Sequence, residues 1–300
     1  MASVSLGNKN TLTIDNRVPR FQRFYESATK DRSNESKRWA LWKQEYNFAA
    51  VPPTADGDLI ARTQLDAAWS KYTILESKLS ADTKSAELLA QTTFYRVVAI
   101  LDPQATPVHA RLLLFVGQFD NNAFSVPAMD GKPPTSVIPV EAQHLDVLLA
   151  HELSHAVDFQ LAHVKNSFGA PIGETMFLEG LAMRSSQRVL PGRPEATYTS
   201  QGDQGWLHQC YARKQRILQG IVPYLDVASQ AAATTFTFGN GTTGMHREVY
   251  CAAWIATGRL LSHGHSLAEL ATIPEKSMSL MMRATIQKLL IDNRKRTSTP

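Results

Sequence analysis

The chain predicts an α+β fold, mostly helical, with one small mixed sheet. Three observations predict it. Aromatic and apolar residues recur at helical spacing through most of residues 21–95. Short apolar or alternating runs bounded by turn residues then follow at 97–101, 112–116, 123–126 and 136–140, and read as strands. Beyond 143 the spacing returns to helical and stays so for most of the remaining chain.

Residues 1–20 are polar and read as a loose N-terminal segment. Residues 21–95 read as a helical region packed on the core. Trp39, Trp42 and Tyr46 stand at i, i+3 and i+7, a helix face made for burial. Pro52 and Pro53 end that unit. Helices are predicted over 59–79 and 85–95, with Leu65, Ala68, Trp69 and Tyr72 on one side. Residues 96–300 form the next domain, readable as continuous with 21–95. Within it the strands come first. Pro139 has no N–H to give to a ladder, which puts 136–140 at the sheet edge. Helices follow over 143–163, 174–190, 206–225, 245–263, 266–270 and 279–291, with a Thr/Gly-rich loop at 234–244.

Bulk properties narrow the function. Three hundred residues, 43% of them hydrophobic, bury a sizeable core. A net charge of +4, with basic residues gathered at Lys288 and Arg294, Lys295 and Arg296, reads as a solvated tail and not a nucleic-acid surface. No apolar run reaches the ~20 residues of a membrane span. The first sixteen residues carry no signal-peptide core, which leaves the compartment open. Cys210 and Cys251 lack the C-x-x-C spacing of a zinc knuckle; they are either one disulfide or two small core residues.

The chemistry concentrates at 148–157, where an apolar helix carries H-E-x-x-H: His151, Glu152 and His155. Residues four apart share a helix face, so the two imidazoles can serve one ion. Glu152 follows the first His, where it can take a proton from a metal-activated water. The apolar flanks bury this helix, and buried histidines and a buried Glu need partners.

A catalytic zinc takes three protein ligands and keeps one open position. The pattern that supplies a third His fails here, because Asp158 and Leu161 occupy its Gly and His positions. The remaining candidates are Glu174 and Glu179. Five apart, they differ by about 140° around a helix and cannot face the same ion. Glu174 opens its helix, where a carboxylate favours the dipole. Glu179 lies mid-helix among apolar residues, where an unpaired charge would be costly, and burial favours it. Gly180 directly after it is expected to let the two helices, 143–163 and 174–190, approach closely.

His151, Glu152 and His155 with the downstream Glu179-Gly180-Leu181-Ala182 resemble the gluzincin metallopeptidases. More narrowly, the chain is similar over about 97–270 to the predicted zinc-dependent proteases of the domain-of-unknown-function 2268 type. The resemblance implies a zincin-like metallopeptidase fold, one catalytic Zn²⁺ held by His151, His155 and Glu179, and Glu152 as general base toward a zinc-bound water that attacks the scissile carbonyl. Glu174 has the eighteen-residue spacing of the aminopeptidase branch and stands as the alternative third ligand. For the oxyanion the expected donor is Tyr250, then His246, four apart on one helix. Asp158 is a candidate to orient a ligand imidazole, and His144 reads as a cleft-mouth or surface residue. The expected partner is a peptide or protein substrate in an extended conformation, added along an edge strand. The leading function is a zinc endopeptidase. The alternatives are an inactive zincin-fold regulatory protein and an aminopeptidase-like enzyme using Glu174.

Overall fold

The structure is a computed structural model that describes residues 2–4, 9–30, 34–51, 55–104, 106–166 and 169–297. In chain order, strands β1 (Ala2–Val4) and β2 (Thr11–Asn16) lead into α1 (Val18–Lys30), α2 (Glu35–Leu41) and a wide helical turn at Trp42–Tyr46. Helices α3 (Gly57–Glu76) and α4 (Leu79–Leu101) come next. Strands β3 (His109–Phe115), β4 (Phe124–Val126) and β5 (Thr135–Pro139) follow. The remainder is helical: α5 (Leu145–Leu161), α6 (Ile172–Val189), α7 (Glu195–Thr199), α8 (Gln204–Ile221), α9 (Gln230–Ala233), α10 (Glu248–Ser262), α11 (Leu267–Leu270) and α12 (Glu275–Thr297).

The five strands form one mixed sheet in the order β1-β2-β3-β5-β4. β2, β3 and β5 run parallel, and β1 and β4 are antiparallel additions at the two edges. Leu112 to Phe115 are all buried. Successive strand residues point to opposite faces, so β3 is covered on both. α1 and α5 both pack on it.

Three expectations are corrected here. The segment 1–20 is not loose throughout: Thr11–Asn16 is an inner strand paired with β3, Leu12 and Ile14 buried, and α1 already starts at Val18. Residues 97–101 are not a strand but the last turn of α4; an apolar run that short has no period of its own, and the helix before it continues through it. The edge strand on that side is β4, and β5 lies inside the sheet. Pro139 is tolerated there because β4 pairs only with 135–137, while Val140 N still donates to Phe115 O on the other side.

Helical residues 21–95 reach the sheet directly. Phe21, Tyr25, Tyr46, Trp69 and Tyr72 form one ring cluster. From it the Tyr46 hydroxyl bonds both N and O of Val116 (2.8 Å each), and the Tyr72 hydroxyl donates to Gly117 O (2.8 Å). The half-buried Glu141 carboxylate accepts from Gly117 N and Phe119 N, and desolvation pushes its pKa up to about 7. These bonds fix the loop that leads into β4.

Candidate metal centre

α5 is buried along almost its whole length, against α4 and α6 and under β3, β4 and β5. Asp146 sits in its first turn and forms an ion pair with Arg193. α6 begins after Pro171, whose extended backbone lies outside the helix. It packs against α5 on one side and α10 on another. The α10 contact depends on Gly180, where a Cβ would stand 2.1 Å from Thr257 Oγ1 and 2.8 Å from Ala253 O. The close approach that Gly180 permits is therefore to α10, and not, as expected, to the H-E-x-x-H helix α5. Cys210 and Cys251 are joined by a disulfide, which ties α8 to α10 and resolves the open alternative for the two cysteines.

At the junction of α5 and α6, three side chains converge. His151 Nε2 lies 3.1 Å from Glu179 Oε2 and 3.2 Å from His155 Nε2; His155 Nε2 lies 3.7 Å from Glu179 Oε2. All three donor atoms fall within 4.8 Å of one another, and among the described residues no other set of three or more His, Cys, Asp or Glu does this. Two imidazole nitrogens and a carboxylate oxygen packed so closely are all lone-pair atoms unless a proton or a cation lies among them. The donor set and its spacing therefore fit a divalent ion of the zinc type.

The electrostatics agree. Burial alone would raise the Glu179 carboxyl, but the bonds and charge of His151 and His155 hold it well below the usual carboxylate range. Burial would depress His155, yet Glu179 and the carboxylates of Glu152 and Asp158 push it up to about 9. Glu152 is buried, and desolvation raises its pKa against the opposing pull of His151, His155 and a bond from Ser125. Its Oε2 accepts from Ser125 Oγ at 2.8 Å.

The other expected residues divide. Glu174 is not part of the converging group. It is buried in the first turn of α6 with Oε1 unpartnered, and its carboxyl is pushed up to about 7, by burial first and Glu275 second. Tyr250 lies on α10 within the field of both Glu179 and Glu152, with the Arg247 guanidinium 3.9 Å over its ring; burial raises its hydroxyl pKa well above the usual value. His246 does not share a helix with Tyr250. It precedes α10 in a turn, with its side chain exposed and its carbonyl accepting from Trp206 Nε1. Arg247 carries the positive φ of 60° that breaks the helical path between them. Asp158 makes no bond to an imidazole: both its oxygens and His155 Nδ1 are buried without partners among the described residues. His144 is exposed, as a cleft-mouth or surface residue should be, and takes a left-handed backbone just before α5. Sequence reasoning missed Ser125, Ser136 and Glu141, because isolated small hydroxyls and a lone Glu carry no spacing signal.

An H-E-x-x-H helix joined by a glutamate from the next helix defines, by its geometry, a protein with a candidate divalent-metal centre. Residues 136–278 match the model of the family described as "Predicted Zn-dependent protease (DUF2268)". This is the family that the motif residues resemble, and the matched stretch starts later than the 97–270 expected. No curated protein and no solved structure matches the chain. No helix among the described residues is long and apolar enough to cross a membrane.

Proposed function

We propose that the protein is a zinc-dependent endopeptidase of zincin-like fold. The observation that carries this reading is the convergence of His151 Nε2, His155 Nε2 and a Glu179 carboxylate oxygen within 4.8 Å beside the buried Glu152. Those three side chains would hold the ion. When bound, zinc supplies Lewis acidity toward water and toward a peptide carbonyl.

The chain's own residues do the rest. Glu152 takes a proton onto its carboxylate from the attacking water and returns it to the amine nitrogen as the C–N bond breaks. Its raised proton affinity suits an acceptor that must later donate. The Tyr250 hydroxyl, kept protonated by burial, donates a hydrogen bond to the oxygen that gains charge; we assign it this role ahead of His246. A substrate held in extended form would add along edge strand β4, which lies beside α5. The domain reading that follows is a peptidase unit over 96–300, continuous with 21–95 through α4.

Two measurements test this. Protein purified without added metal should contain zinc at about one ion per chain by elemental analysis. Glu152→Gln should keep the zinc and lose cleavage of an unfolded protein such as casein. Zinc-free wild type that binds none on titration removes the metal centre. Equal cleavage by wild type and Glu152→Gln removes the peptidase mechanism, and zinc with no cleavage by either favours a non-catalytic zinc protein.

A further inference from the structure

We infer that Ser125 is the positioning residue for the Glu152 carboxylate, acting from edge strand β4 across to helix α5. The inference rests on Glu152 being the proton carrier of a peptidase.

Ser125 and Ser136 are directly opposite each other in the β4–β5 pair, and both side chains are buried beneath α5. The Ser125 Oγ lies 2.8 Å from Glu152 Oε2, 2.9 Å from Glu152 O and 3.0 Å from Ser136 Oγ. The Ser136 Oγ lies 2.8 Å from Glu152 O and makes no bond to the carboxylate. Each hydroxyl has one proton to give. The arrangement that satisfies both oxygens sends the Ser136 proton to the helix carbonyl. The Ser125 proton then goes to Oε2.

That choice matters because a glutamate carboxyl turns about its last bond with only a broad, two-fold preference. With Oε2 held, the two oxygens are no longer equivalent. Among the described residues nothing donates to Oε1, which is left as the oxygen without a fixed partner. Ser125 thus fixes which oxygen is left free on the carboxylate that follows His151 on α5. Without it the carboxylate is free to rotate, and small misplacements of a reacting group are costly in rate.

The test compares Ser125→Thr with Ser125→Val, which share a shape and differ by the hydroxyl, in the zinc-loaded protein with casein as substrate. Valine should lower kcat by about 10–100-fold with KM within about twofold, and threonine should restore kcat to within about threefold of wild type. Zinc content and a cooperative thermal melt should be the same in all three. A crystal structure of zinc-loaded Ser125→Val should show the Glu152 carboxyl in a second orientation. The inference is overturned if valine and threonine variants turn over alike while Glu152→Gln is inactive. It is also overturned if the valine variant has lost zinc or its cooperative melt, since the hydroxyl would then be holding the fold and not the carboxylate. If Glu152→Gln cleaves as wild type does, the peptidase reading falls first, whatever Ser125 does.

Discussion

The first turn of α6 holds Glu174 and its third turn holds Glu179, and the two carboxyls meet different neighbours. Glu174 is the less exposed, at 5%, and finds only a second acid, Glu275, within its field. Glu179 has a side chain 17% exposed and finds two imidazoles. Burial raises both acids, but only at Glu179 is it overcome, and the two pKa values separate in opposite directions. Low exposure alone does not mark a candidate ligand; convergence of partners does.

The strongest challenge to that contrast is to exchange the acids for amides. Glu179→Gln should weaken zinc binding by at least about a hundredfold in competition with a chelator, since even partners one shell out typically cost 10–100-fold. Glu174→Gln should leave zinc content unchanged, and the reverse result would make Glu174 the ligand. Next in size, Tyr250 lies in the field of Glu179, and Tyr250→Phe should lower kcat by about 10–100-fold in a casein assay with zinc retained. Gly180→Ala would force a methyl into Thr257 and Ala253 O, and should cost about 1–3 kcal/mol in chemical denaturation.

The smallest effect is on pH dependence. The Glu174 carboxyl is raised from 4.5 to about 7 in the fold. A raised acid favours the folded state while it is protonated. That stability is complete below pH 4.5 and is lost as pH rises through about 7. Glu174→Gln, which cannot ionise, should therefore be more stable than wild type at pH 8 by roughly 1 kcal/mol, and no more stable at pH 4. Denaturant midpoints at the two pH values measure it; a constant difference between the proteins would assign the pKa shift no role.

Much of the centre could be read in advance because helical spacing is itself geometry: residues 151 and 155 must share a face once α5 forms. Burial in the sequence favours Glu179 as the mid-helix acid, yet Glu174 is the less exposed, so what the structure adds is the approach of two imidazoles. Thr11–Asn16 alternates buried and half-buried residues as a strand should, but polar neighbours on a short run hid it. Residues 97–101 look like a strand and end a helix because apolar continuity belongs equally to a buried strand and to the end of a buried helix. Ser125 and Ser136 acquire meaning only from the register that sets them opposite each other, and register is a property of the whole sheet.

The sheet also decides how small a working version of this protein can be made. Trimmed to 136–278, β5 would have no strand on either side, and Glu152 would lose its serine on β4. The tyrosines at 46 and 72 that grip the backbone at 116 and 117 would be gone as well. Anyone seeking the smallest unit that keeps the candidate site should therefore place the cut ahead of Thr11, some hundred and forty residues upstream of His151.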